Sequence, residues 1–458
     1  MTKSNLKTSS KTVFKLAAPK LAIVILAAGR GTRMKSKLSK VMHHIAGRPM
    51  LAHLIETAQT LSPERIIVVT ALDMDDVVAC AAPNMTAVQE QALGTGSAVA
   101  ASLEALNDFD GNVLILLGDM PLISADTLAA LIQTKETHEN SLSVLGVDLD
   151  PTPAFGRLIA QANILQRIVE DSDCTDAEKA VTLCNTGAFC TNAKDLQKWV
   201  PQIGNNNAQS EYYFTDIPTI AANDGAKTYI HKAKDTDEVR GVNSRADLAA
   251  LEQILQTQLR RKAMDNGATL IDPKSVTFSF DTQTGQDVVI EPNVFFGTGV
   301  ILGDNVHIKA CSHLEGAHVR DDAVIGPFAR LRPGTDIGSG SKIGNFVEIK
   351  NARLHEGVKA GHLAYIGDAE IGAHTNYSCG AITANYDGFK KQKTIIGENV
   401  MVGSNVNLVA PVNIADGAYI AAGSTITKDV EADALAINRG KTRIFDGWAA
   451  ENRQKNKK

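Results

Sequence analysis

The chain has 458 residues, of which 44% are hydrophobic and 21% charged, and its formal net charge is −5. This length predicts about three domains, and the composition is that of a soluble protein with a large core. The slightly acidic balance excludes a general nucleic-acid binder, so phosphates must be met by local basic positions. The six cysteines show neither a CxxC pair nor metal-ligand spacing, as expected in a reducing cytoplasm. We expect no stable membrane insertion, because no segment is long and apolar enough to cross a bilayer.

The first twenty residues carry five lysines and no acid, and they precede the apolar run LAIVILAA. The pattern is similar to a signal peptide, but a run of about eight apolar residues is short for one. It also continues directly into a glycine-rich turn that needs a strand before it. We therefore expect residues 1–20 to be a disordered basic leader on a cytoplasmic protein.

Between 21 and 243, short apolar runs alternate with helical patterns. Such alternation is typical of βαβ units in an open, mostly parallel sheet covered by helices. Ligands of these sheets bind at the carboxyl ends of the strands. The apolar runs are LAIVILAA, RIIVVTAL, VLILLGD and LSVLGVDL.

The first predicted strand ends in a glycine-rich loop with two arginines, LAAGRGTRM. Backbone N–H groups of such a loop can face a phosphate, and its basic side chains suit a free triphosphate or a diphosphate sugar. An ordinary turn with solvated charges explains the loop alone about as well. Lys40 is a candidate second clamp. Asp119 follows another predicted strand, where one carboxylate can help to hold Mg²⁺, although a lone Asp there is more often a turn residue.

Two later segments, Val169-Glu170 and Cys184–Gly187, are interpreted as turns that carry site residues. From 244 to 267 the apolar residues recur at helical spacing. Ser244 and Asp247 resemble a capping box, and Gly267 is a plausible end, so we predict a linker helix here.

The remaining chain, 268–458, is dominated by an apolar residue at every sixth position. This period fits neither an α-helix nor an isolated strand, and it indicates a parallel β-helix whose coils bury their apolar corners against one another. The repeat breaks between Asn351 and Ile395, where we expect a binding site, because interruptions of a solenoid often mark its binding face. The repeat residues are Val288, Val294, Val300, Val306, Ile325, Leu331, Ile337, Ile343, Ile349, Ile396, Val400, Val402, Val406, Leu408, Val412, Ile414, Ile420 and Ile426.

From 21 to about 448 the chain resembles the bacterial bifunctional N-acetylglucosamine-1-phosphate uridylyltransferase/glucosamine-1-phosphate N-acetyltransferases. Beside LAAGRGTRM, the resemblance rests on QALGTGSA, NTG, NNNAQSEYYFTD, GVN, FARLRPG, GNFVEIKNA, KAGHLAYIGDAEIG and TANYDG. It implies an α/β protein with a Rossmann-like uridylyltransferase (pyrophosphorylase) domain at 21–243 and a linker helix at 244–267. A left-handed parallel β-helix with a C-terminal tail follows at 268–458, with about three hexapeptides per coil.

The N-terminal half of such enzymes joins UTP to N-acetylglucosamine 1-phosphate and releases pyrophosphate. The resemblance implies Asp119 and Asn243 as Mg²⁺ ligands and Arg33 and Lys40 as phosphate clamps. Positioning and charge neutralisation suffice for this chemistry, without a protein nucleophile. The other implied contacts are Leu26, Ala27, Ala28, Gly29 and Gly118 for the nucleotide, Gln89, Gly94 and Thr95 for uracil, and Gly156, Glu170 and Asn185 for the sugar.

The C-terminal half acetylates glucosamine 1-phosphate from acetyl-CoA. His362 matches the general base, a role that is typically worth about 10²–10⁴-fold in rate. The resemblance further implies a homotrimer. The remaining matches are Arg332 and Lys350 for the sugar phosphate, Tyr365 and Asn376 for the sugar, and Cys379, Asn385, Tyr386, Ser404, Ala422 and Arg439 for acetyl-CoA.

Two departures from the family pattern stand out. Ser39 replaces a proline, which we expect to loosen that turn. Ser378-Cys379-Gly380 replaces a segment beside the acetyl-CoA site that is usually richer in Gly and Ala, and we expect the bulkier Ser378 to alter the width of the acyl pocket. Two alternatives stay open. One is a monofunctional sugar-phosphate nucleotidylyltransferase whose β-helix serves only oligomerisation, and the other is a trimeric scaffold that has lost acetylation.

Overall fold

The computed structural model describes residues 20–138, 141–150 and 155–456, so the predicted leader lies outside the described residues except for Lys20. The chain forms two compact units, the first ending at Ile254 and the second beginning at Leu255. This division falls within a helix, Arg245–Asp265, that the sequence predicts as a linker. Within the described ranges, every helix is too short or too polar to cross a membrane.

The first unit is built on one large sheet. Leu21–Leu26 pairs in parallel with Arg65–Ala71 on one side and with Asn112–Leu117 on the other. The chain therefore extends the sheet first on one side of this strand and then on the other, and a crevice opens at its carboxyl end. Open α/β sheets bind ligands in such a crevice. In the order of hydrogen bonding, the strands are Met85–Gln89, Arg65–Ala71, Leu21–Leu26, Asn112–Leu117, Leu183–Asn192, Ser141–Asp148, Lys227–Lys232, Ile164–Val169 and Arg157–Gln161.

The interpretation of Cys184–Gly187 as a turn is wrong. The segment lies within Leu183–Asn192, a strand that runs antiparallel in the middle of the sheet and so interrupts the expected parallel order. The register shifts between Asn185 and Phe189, and Gly187 adopts φ +85°. A glycine permits this bulge, so residues typical of turns lie within a strand.

Both faces of the sheet are buried. Val24 and Ile23 point into separate apolar clusters, which explains why the strand reads as a continuous apolar run. The helices are Met50–Thr60, Asp75–Ala81, Thr95–Ala101, Ala125–Glu136, Asp176–Lys179, Ala193–Trp199 and Ile217–Asn223. Single 3-10 turns occur at Thr32–Met34, Lys40–Met42, Glu104–Leu106, Asp171–Asp173, Val200–Gln202 and Phe214–Asp216, and His44–Ile45 forms a short hairpin with Arg48–Pro49.

The predicted ends of the linker helix are confirmed. Asp247 Oδ2 accepts the Ser244 N–H over 2.8 Å, and the Asp247 N–H donates to Ser244 Oγ over 3.2 Å, which is a capping box. Gly267 adopts φ +99° just after the helix. The next N–H, of Ala268, then reaches back to the Ala263 carbonyl over 3.0 Å.

The second unit is a parallel β-helix, as predicted. Val289 pairs with His307 and Asn407 with Thr425, each 18 residues further along, so one coil takes three six-residue repeats. All the predicted repeat residues are at most 5% exposed, because each coil buries them against its neighbours. The handedness stays a prediction. The strands are Thr269–Leu270, Gln283–Thr284, Val289–Ile290, Phe295–Phe296, Ile301–Leu302, His307–Ile308, His313–Leu314, Ala317–Val319, Val324–Ile325, Arg330–Leu331, Thr335–Ile337, Lys342–Leu354, Lys359–Ile371, Asn376–Tyr377, Ile382–Ala384, Thr394–Ile396, Met401–Val402, Asn407–Val409, Val412–Ile414, Tyr419–Ile420, Thr425–Ile426 and Leu435–Ala436, after a 3-10 turn at Pro273–Ser275.

The predicted interruption from Asn351 to Ile395 is wrong in its extent. Two long strands, Lys342–Leu354 and Lys359–Ile371, carry the coils through this region. Ile337 pairs with Leu354, only 17 residues on, which shifts the repeat by one position. Ala369 pairs with Thr394, 25 residues on, so the added chain forms a single loop at 385–393.

One corner of the β-helix carries bulky apolar residues in a left-handed conformation. Phe328, Phe346 and Leu363 adopt φ +54°, +57° and +51° on successive coils and are 50%, 55% and 55% exposed. The two phenyl rings stack with their centroids 5.3 Å apart. We call these three residues the apolar corner column. Side chains other than Asn, Asp and Gly are rare at such φ values, so the column holds strain.

Residues 434–438, which we call the closing segment, pair with the last coil of the β-helix. The Tyr419 N–H donates to the Ala434 carbonyl over 2.8 Å and the Ala421 N–H to the Ala436 carbonyl over 2.9 Å. The Asn438 side chain then donates to the Thr425 carbonyl over 2.6 Å. A short helix, Trp448–Lys455, follows this closing segment.

Candidate active sites

The glycine-rich loop follows Leu21–Leu26 at the crevice of the sheet. The Gly118 N–H donates to the Leu26 carbonyl over 2.9 Å, which places this loop beside the one that carries Asp119. Gly31 has φ +65°, and a Cβ there would lie 2.6 Å from Cβ of Lys40. Only glycine allows the loop to approach Lys40 this closely.

Lys40, Asp119 and Asn243 meet at one point. Lys40 Nζ forms an ion pair with the Asp119 carboxylate and also donates to Asn243 Oδ1 over 3.3 Å. Both charged side chains are nearly buried, with 14% and 13% of their surfaces exposed. The predicted phosphate clamp and the two predicted cation ligands are therefore adjacent.

The donor set at this point fits a hard divalent cation. Asp119 Oδ1 is buried and has no hydrogen-bond partner among the described residues. The described residues hold no group of three or more His, Cys, Asp or Glu side chains suited to a metal. A cation here would rely on Asp119, Asn243, phosphate oxygens and water, which is how Mg²⁺ is usually held in nucleotide sites.

Residues predicted for uracil form one pocket. Gln89 Nε2 donates to the Gly94 carbonyl over 3.0 Å, and the Phe214 N–H donates to Thr95 Oγ1 over 3.0 Å. Gly94 has φ +100°, and a Cβ there would lie 2.6 Å from the carbonyl oxygen of Tyr212. Because the amide nitrogen of Gln89 is held within the protein, its Oε1 is oriented to accept from a ligand N–H.

Residues predicted for the sugar meet around the bulge of the antiparallel strand. The Asn185 N–H donates to the Gly156 carbonyl over 2.8 Å, and Thr215 Oγ1 donates to Glu170 Oε1 over 2.8 Å. Burial raises the pKa of Glu170, and the nearby carboxylate of Asp173 raises it further. The bulge thus turns polar groups toward a partly apolar cavity.

Two cavities meet at Leu26, Thr95, Leu117 and Asp119. One contains the glycine-rich loop and Gln89, and the other contains Glu170, Asn185 and Asn243. Asp119 therefore stands where a nucleotide and a sugar phosphate in the two cavities would meet.

The predicted contacts of this site line one cavity or the other, with two exceptions. Gly118 is bonded to Leu26 behind the cavities. Arg33 is exposed and lies outside both linings. Arg30 borders the cavity of the glycine-rich loop, but its side chain is 67% exposed and forms an ion pair with Asp73 over 3.8 Å.

The second unit gathers three cations beside the inserted loop. The ammonium of Lys391, and next the guanidinium of Arg332, lower the pKa of Lys350. Arg332 Nη1 also bonds Glu348 Oε1 over 2.7 Å. Clustered like charges of this kind are suited to a phosphate. The sequence analysis missed Lys391, for which the run KKQK in the interrupted stretch was the available signal.

Two predicted contacts converge over Gly367. A Cβ at this glycine would lie 2.4 Å from Tyr365 Oη and 2.8 Å from Asn385 Nδ2, so neither polar group could stay in place. Lys350 pairs in register with the same glycine. Lys350, the predicted sugar contact Tyr365 and the predicted acetyl-CoA contact Asn385 are therefore neighbours on one face of the β-helix.

His362 lies on the same long strand as Tyr365. It is exposed and pairs in register with Asn345 of the preceding coil. An exposed imidazole can reach a substrate amine without rearrangement of the core.

Residues predicted for acetyl-CoA lie on the following coils. Arg439 Nη1 donates to the Ala422 carbonyl over 3.1 Å. Backbone bonds connect the coil of Ser404 to that of Ala422, since the Gly423 N–H reaches the Ser404 carbonyl over 2.8 Å. Tyr386 pairs with Lys391 across the inserted loop, and the Cys379 carbonyl accepts the Asn405 N–H over 2.8 Å. The pairing of Tyr386 with Lys391 joins this group to the cation cluster.

The two departures from the family pattern are accommodated locally. Ser39 adopts φ −55°, which is within the range of proline, and its hydroxyl donates to Asp76 Oδ1 over 3.0 Å. The expected loosening of the turn stays a prediction. Ser378 Oγ accepts a hydrogen bond from Asn376 Nδ2 over 3.0 Å, so this serine orients a predicted sugar contact.

Residues 23–179 match the MobA-like NTP transferase domain, and 281–316, 316–351 and 393–428 match the bacterial transferase hexapeptide, described as six repeats. The chain is 48% identical over 435 residues to the bifunctional protein GlmU of Paramagnetospirillum magneticum, covering 95% of this chain and 97% of that protein. It is 49% identical over 430 residues to bifunctional GlmU of Acidiphilium cryptum, covering 94% and 98%. It is 43% identical over 454 residues to that of Cellvibrio japonicus, covering 95% and 100%.

These matches span both units. An NTP transferase domain and transferase hexapeptides in one chain confirm the predicted fold class and the prediction of a bifunctional transferase over the monofunctional alternative. At these identities and over nearly the full length of each relative, the chain belongs to the bifunctional GlmU family.

Proposed function

We propose that the two units catalyse successive steps on one sugar phosphate. The β-helix, 268–458, acetylates glucosamine 1-phosphate from acetyl-CoA, and the sheet domain, 21–243, joins the product to UTP and releases pyrophosphate. The observation that carries this proposal is two separate clusters of charged side chains, Lys40 with Asp119 and Lys350 with its neighbouring cations, each beside polar groups suited to a sugar.

In the uridylyl-transfer step, the chain positions two substrates around Asp119. Gln89 and Gly94 orient the uracil, Lys40 binds the triphosphate, and Glu170 and Asn185 orient the sugar so that its phosphate oxygen attacks the α-phosphorus in line. Asp119 and Asn243 would hold Mg²⁺, which would supply charge stabilisation on the transferring phosphate. The bond from the α-phosphorus to the bridging oxygen breaks, and pyrophosphate leaves.

In the acetyl-transfer step, Arg332, Lys350 and Lys391 hold the phosphate of glucosamine 1-phosphate. The substrate amine must be neutral to attack the thioester carbonyl, and His362 takes the proton that the nitrogen loses. The carbon–nitrogen bond forms, the carbon–sulfur bond breaks, and coenzyme A leaves as the thiol after the leaving sulfur takes up the proton from His362. Asn385, Tyr386, Ser404, Ala422 and Arg439 position the acyl donor.

The second unit assembles as a homotrimer through the apolar corner column. Three large apolar side chains, Phe328, Phe346 and Leu363, are half exposed along one line, and hexapeptide repeats are consistent with oligomerisation. Strained, exposed apolar residues in a row are favoured when another subunit covers them. The occupant is a second copy of this chain.

The enzyme works in the cytoplasm, where UTP and acetyl-CoA are produced. Its product, UDP-N-acetylglucosamine, supplies peptidoglycan and lipopolysaccharide synthesis and so cell-wall biogenesis and cell shape.

A coupled assay tests the function. Purified protein with glucosamine 1-phosphate, acetyl-CoA, UTP and Mg²⁺ should release free thiol and pyrophosphate and form UDP-N-acetylglucosamine. Omission of Mg²⁺ should stop pyrophosphate release but leave thiol release unchanged. Thiol release at the background rate would exclude the acetyltransferase activity. A rate of pyrophosphate release that does not depend on N-acetylglucosamine 1-phosphate would exclude the uridylyltransferase activity.

A further inference from the structure

A buried carboxylate without a role in either proposed reaction lies near the cation ligands. Glu238 is 7% exposed and accepts two hydrogen bonds from the start of the helix Ala125–Glu136. The Ser124 N–H donates to its Oε2 over 3.0 Å, and the Thr127 hydroxyl donates to its Oε1 over 2.6 Å. A carboxylate is favoured at a helix N-terminus, and its bonded oxygens offset the cost of burial.

Two short segments, 119–124 and 238–243, are bonded to each other at both ends, and we call them the frame. Glu238 joins them at one end. At the other end, the Val242 N–H donates to the backbone carbonyl of Asp119 over 3.1 Å. A Cβ on Gly241 would lie only 3.7 Å from Asp119 Oδ1, so the segments are in close contact there. Because both ends are bonded, the backbone fixes the distance between the Asp119 carboxylate and the Asn243 amide.

We propose that Glu238 is a positioning residue of the uridylyl-transfer site, which sets the separation of Asp119 and Asn243 and thereby the affinity for a divalent cation. Glu238 acts through the frame and touches neither substrate. Without it, the segment that leads to Asn243 is attached to the Asp119 loop at one end only. This inference rests on the proposed cation site at Asp119 and Asn243.

The test measures Mn²⁺ binding to the full-length chain in the presence of UTP by isothermal titration. Glu238→Ala should raise the Mn²⁺ dissociation constant about tenfold, in the range found when groups that orient metal ligands are removed. Glu238→Gln should stay within about threefold of wild type, because an amide can accept the Ser124 N–H and donate to Thr127 Oγ1. The Mg²⁺ concentration for half-maximal uridylyl transfer should rise in parallel, and acetyl transfer should not change.

Lys135→Met is the matched control. Lys135 is buried near the other end of the same helix and donates to Asn112 and Asn192 over 2.9 and 2.8 Å. Its loss should lower the melting temperature without changing the Mn²⁺ affinity. A general loosening of the helix is thereby separated from a loss of positioning.

Unchanged Mn²⁺ affinity in Glu238→Ala overturns the positioning role and leaves the cation site standing. Wild-type protein that binds no Mn²⁺ with UTP, or Asp119→Asn that binds it equally well, overturns both. If Glu238→Ala does not fold, Thr127→Val replaces it, since it removes only the hydroxyl hydrogen bond. That variant should raise the dissociation constant about two- to threefold, as expected for one hydrogen bond, and no change would overturn the proposal.

Discussion

Lys40 and Asp119 form an ion pair although 79 residues separate them in the chain. The same ammonium donates to Asn243, so one lysine contacts both predicted cation ligands. A divalent cation at Asp119 must therefore share its carboxylate with Lys40 or displace the ammonium toward the nucleotide phosphates. The lysine thus holds the Asp119 carboxylate and the Asn243 amide beside one another.

Replacement of Lys40 by Met should affect cation binding and catalysis in opposite directions. Uridylyl transfer should fall about 10²–10³-fold, as when one donor that stabilises transition-state charge is lost. The affinity for Mn²⁺ without nucleotide should rise, because a competing positive charge is removed. Steady-state kinetics and Mn²⁺ titration check the two effects. A weaker affinity for Mn²⁺ would show that Lys40 supports the cation site rather than competing for it.

Substitution of His362 by Ala should abolish acetyl transfer and leave uridylyl transfer intact. General bases contribute about 10²–10⁴-fold, so thiol release should fall by at least two orders of magnitude. Uridylyl transfer from added N-acetylglucosamine 1-phosphate is the internal control for folding. Loss of both activities together would contradict independent sites.

Lys391→Ala should raise the KM for glucosamine 1-phosphate about 10–100-fold, because it removes one hydrogen bond between charged groups. Lys393→Ala is the control on the same loop, because Lys393 bonds Glu370 over 2.7 Å instead of facing Lys350. It should change the KM less than about threefold, as for an exposed ion pair. Equal effects of the two variants would indicate that the loop acts through its conformation rather than through one charge.

The raised pKa of Glu170 should appear in the pH dependence of the first reaction. As pH falls through this pKa, the carboxylate takes up a proton and becomes a poorer acceptor for sugar hydroxyls. The KM for N-acetylglucosamine 1-phosphate should therefore begin to rise at a pH above the usual range of glutamate. Glu170→Gln should remove this acid limb, and an unchanged limb would assign it to another group.

The same residue should affect stability in a pH-dependent way. Because its folded-state pKa is raised, the stability gained from the protonated form is present at acidic pH and is lost as pH rises through that pKa. Glu170→Gln should consequently raise the melting temperature more at pH 7 than at pH 4. Thermal unfolding at the two pH values measures this difference, and an equal shift at both would contradict it.

Phe346→Asn should separate subunit stability from assembly. Asparagine tolerates φ +57° better than phenylalanine, so about 1 kcal/mol of strain should be relieved within the β-helix. The lost apolar contact should weaken the trimer, which light scattering would detect as a lower mass at micromolar concentration. A trimer that is unaffected would exclude the apolar corner column as the interface.

Much of the fold could be predicted because local patterns specified it. The repeat residues of the β-helix are all buried, and Ser244 with Asp247 forms the predicted cap. The strand that carries Asn185 was missed because its glycine allows a bulge, which resembles a turn in sequence. The linker helix, Arg245–Asp265, buries Gln256 and Arg260, which bond the backbone of Phe278 and Val276. Their partners lie 22 and 16 residues further along, beyond what a local pattern shows.

The site was predictable as a set of positions but not as a geometry. The family motifs named Lys40, Asp119 and Asn243, and only the fold shows that they touch. Lys391 was missed because it belongs to a run of basic residues, KKQK, whose members are equivalent in sequence. Which member faces the site depends on loop conformation and on pairing between coils.

The pairing of 434–438 with the last coil also governs how the protein behaves at high concentration. Backbone groups of Tyr419, Ala421 and Thr425 would otherwise form an open sheet edge, and such edges recruit strands from other molecules. A chain truncated before Ala434 would therefore tend to aggregate end to end, so the contribution of Arg439 is better studied by substitution than by deletion. The closing segment thus protects solubility, and it leads directly to Arg439, a predicted contact of the acyl donor.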